Sequence, residues 1–205
     1  MSDMIYTPFL SYLRIAAEAH EKMVRYIDST GRPSLDSEEF PQTSDGQATI
    51  VVVYCVIALE CYIFNYAALQ LGEKFCKKHV DSMSLHTKWL VVPKLATGKG
   101  IPPDHDGIAL LQKLIKARNN VVHAKAVNVQ PDKWEEQKTK ITERGRATLD
   151  AALNAFRCVG ELGGALSAID PGKPGAGILA EFLVTPKYSL RRDPYAEKGP
   201  TTGSS

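Results

Sequence analysis

An all-α fold, a bundle of about five helices with an irregular C-terminal tail, follows from three observations on the sequence. Apolar residues recur three and four apart through most of residues 1–168, the spacing of helices that bury one face. The run from Thr49 to Leu71 is nearly uncharged and holds no turn residue, so it is too long for one strand and suits a central helix buried all round. Glycine and proline gather between these stretches, where a bundle needs its connections.

Each helix has its own justification. Thr7-Pro8 pairs a capping residue with a proline at the first helical position, and Phe9, Leu13, Ala16, Ala17, Met23 and Ile27 carry the helix to Asp28. Ser29–Asp45, with Gly31, Pro33 and Pro41, reads as a loop. The second helix spans Gly46–Gly72. Ser82-Met83-Ser84-Leu85 opens a third, bent at Pro93 and ended by Gly98. Asp104 or Asp106 caps the fourth, which continues to His123. Pro131-Asp132 opens a fifth, predicted to run unbroken to about Ala168 through Trp134, Ile141, Leu149, Phe156 and Leu162. Residues 169–205 form a Pro/Gly-rich, partly disordered tail, in which Ile178–Val184 is a candidate docking segment.

Composition narrows the function classes. A chain of 205 residues with 44% hydrophobic and 23% charged residues accommodates one helical domain with a core of its own. The net charge of +2 gives no global basic field, so any nucleic-acid contact must rest on a local patch. Cys55, Cys61, Cys76 and Cys158 lack the spacing of a zinc site, and Cys55 and Cys61 read as small buried hydrophobes; no metal or other cofactor is expected. The first residues show no basic stretch followed by an apolar one, and Glu60 in mid-helix argues against lipid, so the expected setting is the cytoplasm, without a membrane. No Gly-rich phosphate loop is present.

The most informative stretch is Arg118-Asn119-Asn120-Val121-Val122-His123. On a helical wheel with Ile108 at zero, Leu110, Leu111, Leu114, Ile115, Ala117, Val121 and Val122 fill an arc from about 180° to about 340°. Arg118 falls inside it, near 280°, where a leucine would be expected. A guanidinium on an apolar face is costly unless it is paired or meets something polar. Glu60, the one charge between Asp45 and Glu73, is the candidate partner. Asn119 and His123 lie four apart and share a helix face, so the amide can orient the imidazole. Arg118 and His123 lie about 140° apart, and two copies of the helix around a two-fold axis would bring both types of side chain to one cleft.

Leu114-Ile-Lys-Ala-Arg-Asn-Asn-Val-Val-His-Ala-Lys125, following an apolar helix with a lone glutamate, resembles the motif of the HEPN superfamily (higher eukaryotes and prokaryotes nucleotide-binding domain). The resemblance covers residues from about 5 to 165 and implies a HEPN-like up-and-down bundle. It further implies a homodimeric, metal-independent endoribonuclease that cuts single-stranded RNA to 2′,3′-cyclic phosphate ends, in the manner of a toxin or defence effector restrained by an inhibitory protein partner. In that family the catalytic residues would be Arg118, Asn119 and His123, with Glu60 and Asn120 in support and Lys113, Lys116 and Lys125 guiding the RNA backbone. The alternative is a non-catalytic module of the same type that binds a nucleotide or a partner protein.

The same residues have plainer readings. Arg118 and Glu60 can form a salt bridge that only fixes helix register, His123 can cap or pack, and Asn119 and Asn120 can be helix-end residues. His20, His79, His86 and His105 have no companions at ligand spacing and read as surface residues. Asp104-His105-Asp106 reads as a helix start rather than a metal site. Trp89 and Trp134 suit a core or an interface, and the lysines and arginines of the fifth helix suit its solvated face.

Overall fold

The computed structural model describes residues 8–30, 40–123, 134–172, 177 and 179. The fold is all-α; among the described residues there is no strand. The elements are α1 (Phe9–Thr30), α2 (Phe40–Leu71), the short α3 (Glu73–Phe75) that passes directly into a π-turn at Cys76–Val80, α4 (Leu85–Thr97), α5 (Asp106–Val122), α6 (Trp134–Leu153) and α7 (Ala155–Ile169). The cap expected at Thr7, the start expected at Pro131-Asp132, Lys125, and the tail beyond Leu179 lie outside the described residues.

α2 is the axis of the bundle. It packs against α1, α4, α5, α6 and α7, and its buried residues, among them Val52, Cys55, Leu59, Ile63 and Tyr66, face several directions. Its stretch Gly46–Leu71 is long and apolar enough to cross a bilayer, and half of its apolar window is covered by the other helices. α2 starts at Phe40, so the last part of the expected Ser29–Asp45 loop is helical. Pro41 there occupies the first turn, where a missing N–H costs nothing.

Aromatic contacts tie three helices together. Phe9 of α1 meets Tyr62 of α2 edge-on at 5.2 Å between ring centroids, and Tyr62 stacks on Trp89 of α4 at 6.0 Å. Trp89 is therefore a core residue, whereas Trp134 at the start of α6 is exposed. α4 is bounded as its sequence suggests: Ser84 Oγ accepts the Thr87 N–H, and Gly98 closes the helix at φ 76°.

Two expectations about the later helices are corrected. The predicted fifth helix is two, because the chain breaks at Asn154, whose φ of −95° and ψ of 0° leave the helical region. The Asn154 amide donates to the Asp150 carbonyl, one turn back, the local bond by which asparagine competes with helix continuation. The cap of α5 is His105, flanked by the two aspartates proposed for it; its Nδ1 accepts the Gly107 N–H at 3.0 Å.

Two polar contacts between distant parts of the chain reach into the core. Lys88 of α4 is 2% exposed, and its Nζ donates to Glu60 Oε1 at 2.9 Å. Glu60, with its side chain 43% exposed, keeps one side in water while it neutralises the buried ammonium. The expected Glu60–Arg118 pair is thus replaced by Glu60–Lys88. The reason is that Lys88 brings a buried cation up to α2, which nothing in the α5 periodicity reveals. Tyr66 of α2 donates to Asp170 Oδ2 at 2.6 Å just beyond α7, and burial followed by this bond pushes its phenol up.

His20, read from the sequence as a surface residue, is buried on α1 with its ring edge-on to Phe156 of α7 at 5.3 Å. Its Nε2 is buried without a partner among the described residues. Burial lowers its pKa, offset in part by a hydrogen bond to the Leu153 backbone.

Glu60→Gln leaves the Lys88 ammonium buried without its counter-charge and lowers stability by about 1–3 kcal/mol. In urea denaturation, Glu60→Gln and Lys88→Met should couple by about 1 kcal/mol or more, while Glu60→Gln and Arg118→Ala should add independently. For His20 the sign is set by its depressed folded pKa. Below the unfolded value of 6.5 the unfolded chain binds the proton first, so stability falls as pH drops from 6.5 towards the lower folded value. Equilibrium unfolding at pH 7.5 and 5.5 should show this loss in the wild type and a smaller one in His20→Leu.

Candidate functional site

α5 carries the candidate site because its two ends are held differently. At its start, Gly107 is buried against α7; a Cβ there would lie 3.1 Å from Glu161 Cβ and from Leu162 Cδ2, tighter than most such contacts, so an added methyl group would require these neighbours to give. The Cys158 thiol, whose pKa burial pushes up, lies 3.7 Å from the Gly107 carbonyl. Ile108, Leu111, Leu114 and Ala117 then bury one face of the helix.

Past Ala117 the core ends before the helix does. Arg118 is half-buried, Asn119 is exposed, and Asn120 and Val121 are half-buried. Val122 is 53% exposed, and the His123 side chain is exposed at the point where the chain leaves the helix. The apolar arc thus outruns the core that its first two-thirds pack against. Arg118 lies in the arc as the periodicity indicates, but on the emergent part, where it is only half-buried. Among the described residues it has no ion-pair partner.

A second feature lies on a different face of the same helix. Between α5 and the α6–α7 elbow is a groove of about 480 Å³. Its floor is apolar and mostly small, with Leu110, Ala117, Ala147 and Ala151. Its rim carries Lys113, Lys116 and Asn120 from α5, Asp150 and Asn154 from α6 and the elbow, and Arg157 from α7. One guanidinium nitrogen of Arg157 is bonded to Asp106 Oδ2 at 3.0 Å, in a pair exposed on both sides.

The predicted site residues therefore separate into groups. Lys113, Lys116 and Asn120 meet at the groove. Arg118, Asn119 and His123 share the final turn of α5 but do not line the groove, and Glu60 is committed to Lys88. Sequence reasoning missed Asp150, Asn154 and Arg157. Residues 147, 150, 151 and 154 recur at helical spacing with small or polar side chains, but a helix assumed unbroken gave no reason to aim them at α5.

Of the remaining histidines, His86 bonds the Gln112 amide at 2.8 Å between α4 and α5, and His79 is exposed. Cys61, expected to be buried, is only half-buried. Among the described residues no three His, Cys, Asp or Glu side chains converge as metal ligands would.

Comparison with family models, with curated proteins and with solved structures found no match to this chain.

Proposed function

We propose that the protein is a cytoplasmic, metal-independent endoribonuclease of HEPN type that acts as a homodimer on single-stranded RNA. The observation that carries this reading is the grouping of half-buried Arg118 with exposed Asn119 and His123 on the emergent last turn of α5. Three polar side chains at the end of an apolar arc serve no evident packing need. In this reading His123 takes the proton of the ribose 2′-hydroxyl or returns one to the leaving 5′-oxygen, since imidazole exchanges protons near neutral pH. Arg118 bears on the scissile phosphate and stabilises the charge that builds on its oxygens. Asn119, four residues from His123, positions the ring or the phosphate.

The exposed Val122, beside half-buried Val121, supports a second copy at this end of α5. A two-fold axis there would place an arginine and a histidine of each protomer beside one strand. The product would be a 2′,3′-cyclic phosphate, and DNA, without the 2′-hydroxyl, would stay intact.

Incubation of the purified protein with single-stranded RNA and EDTA tests the reading. The wild type should cut, and Arg118→Ala and His123→Ala should each lower the rate about 100-fold or more. Their folding stability should change by about 1 kcal/mol or less, because neither side chain is fully buried. Absence of cutting at every protein concentration, or cutting that needs a divalent metal, contradicts the reading; RNA bound but uncut favours the non-catalytic module. Val122→Asp should shift the molecule towards monomer in light scattering and lower cutting in parallel. Full activity in a monomeric Val122→Asp protein would rule out a site shared between two chains.

A further inference from the structure

We propose that the groove between α5 and the α6–α7 elbow is a subsite for one nucleotide unit, distinct from the Arg118–His123 turn. Its volume of about 480 Å³ suits a single small ligand. Lys113 and Lys116 stand one helical turn apart on one wall, and Arg157 stands on the other. Together they offer a phosphate charge-assisted bonds from two sides. The bond of Arg157 to Asp106 occupies one of its nitrogens and is exposed to water, so the rest of the guanidinium remains a donor.

The remaining rim residues indicate more than an anion site. Asp150 would repel phosphate, but its carboxylate can accept hydrogen bonds from a ribose hydroxyl or an exocyclic amine. The amide nitrogen of Asn154 is used on the Asp150 carbonyl, which leaves its oxygen as an acceptor, and Asn120 adds a second amide. Amides and a carboxylate above a floor of alanine and leucine suit the edge and the flat face of a base. Cations, hydroxyl acceptors and a small apolar floor together describe a nucleotide better than a peptide, a lipid or a bare ion.

The same chemistry is present in a free nucleotide and in one unit of an RNA strand. Asn120 lies three residues before His123, about 4.5 Å along the helix axis, so a strand seated in the groove would point along α5 towards the exposed turn. The subsite does not require that the protein cuts RNA.

The full chain is titrated by calorimetry with adenosine 5′-monophosphate, with inorganic phosphate, and with a short single-stranded oligonucleotide methylated at every 2′-oxygen so that it cannot be cleaved. The nucleotide or the oligonucleotide should bind, and Lys113→Ala with Lys116→Ala should weaken binding about tenfold or more. Ala147→Phe, which fills the groove at an exposed position and leaves every charge in place, should weaken it as much. Lys138→Ala, exposed on α6 but not on the groove, should change the affinity about twofold or less. Binding of monophosphate alone assigns the groove to a free nucleotide; tighter binding of the oligonucleotide, displaced by monophosphate, assigns it to a strand. The proposal is overturned if neither ligand binds at millimolar concentration, if Ala147→Phe binds as well as the wild type, or if inorganic phosphate binds as tightly as the nucleotide. Because the oligonucleotide cannot be cut, this result is independent of whether the protein is a nuclease.

Discussion

The close approach of α5 to α7 at Gly107 governs the part of the molecule that matters for function. With a hydrogen in place of a side chain, the first turn of α5 seats against Glu161 and Leu162. Tight seating at one end commits Ile108, Leu111, Leu114 and Ala117 to the core and determines how far the helix reaches beyond it. Two consequences share this origin. The last turn emerges with Arg118, Asn119 and His123, and the wall carrying Lys113 and Lys116 stands opposite the elbow at Asn154. A larger residue at position 107 would lever α5 away from α7, or force Glu161 and Leu162 to move, because packed interiors leave little room for an added methyl group.

The rest of the bundle supplies a rigid frame for that helix. α2 reaches every other long helix, and its placement is fixed by directional contacts as well as apolar area: Tyr62 against Phe9 and Trp89, Glu60 on Lys88, and Tyr66 on Asp170. Polar contacts at defined points along a helix that is apolar all round oppose rotation and sliding, which hydrophobic burial by itself resists weakly. His20 against Phe156 links α1 to α7 in a similar way, but its buried Nε2, unpartnered among the described residues, makes that contact sensitive to acid.

Much of this fold is legible in the sequence, because helix periodicity and caps are local signals. The central helix, the cap at Ser84, the end at Gly98 and the place of Arg118 on the apolar arc can all be read from neighbouring residues. What was misread depends on partners distant in sequence. Glu60 looked matched to Arg118 because both are lone charges on apolar faces, yet a lysine on α4 reaches it instead. His20 looked exposed because nothing nearby in sequence explains its burial. The groove was invisible because it needs the break at Asn154, and an asparagine within a helical pattern is only a weak sign of one. The exposure of the last turn of α5 was equally hidden, since periodicity shows which residues share a face and not where the core beneath that face ends.

The emergence of that turn from an anchored helix is tested most directly by thiol labelling with a small water-soluble reagent. In a Cys61→Ser background, which removes the half-buried native thiol, single cysteines are placed at positions 114, 118 and 123, and labelling is followed at low protein concentration. Arg118→Cys and His123→Cys should react under native conditions, while Leu114→Cys should react only at the rate at which the protein unfolds. Protection of Arg118→Cys equal to that of Leu114→Cys in the monomer would contradict the emergence of this turn, and with it the presentation of the arginine and histidine to any strand.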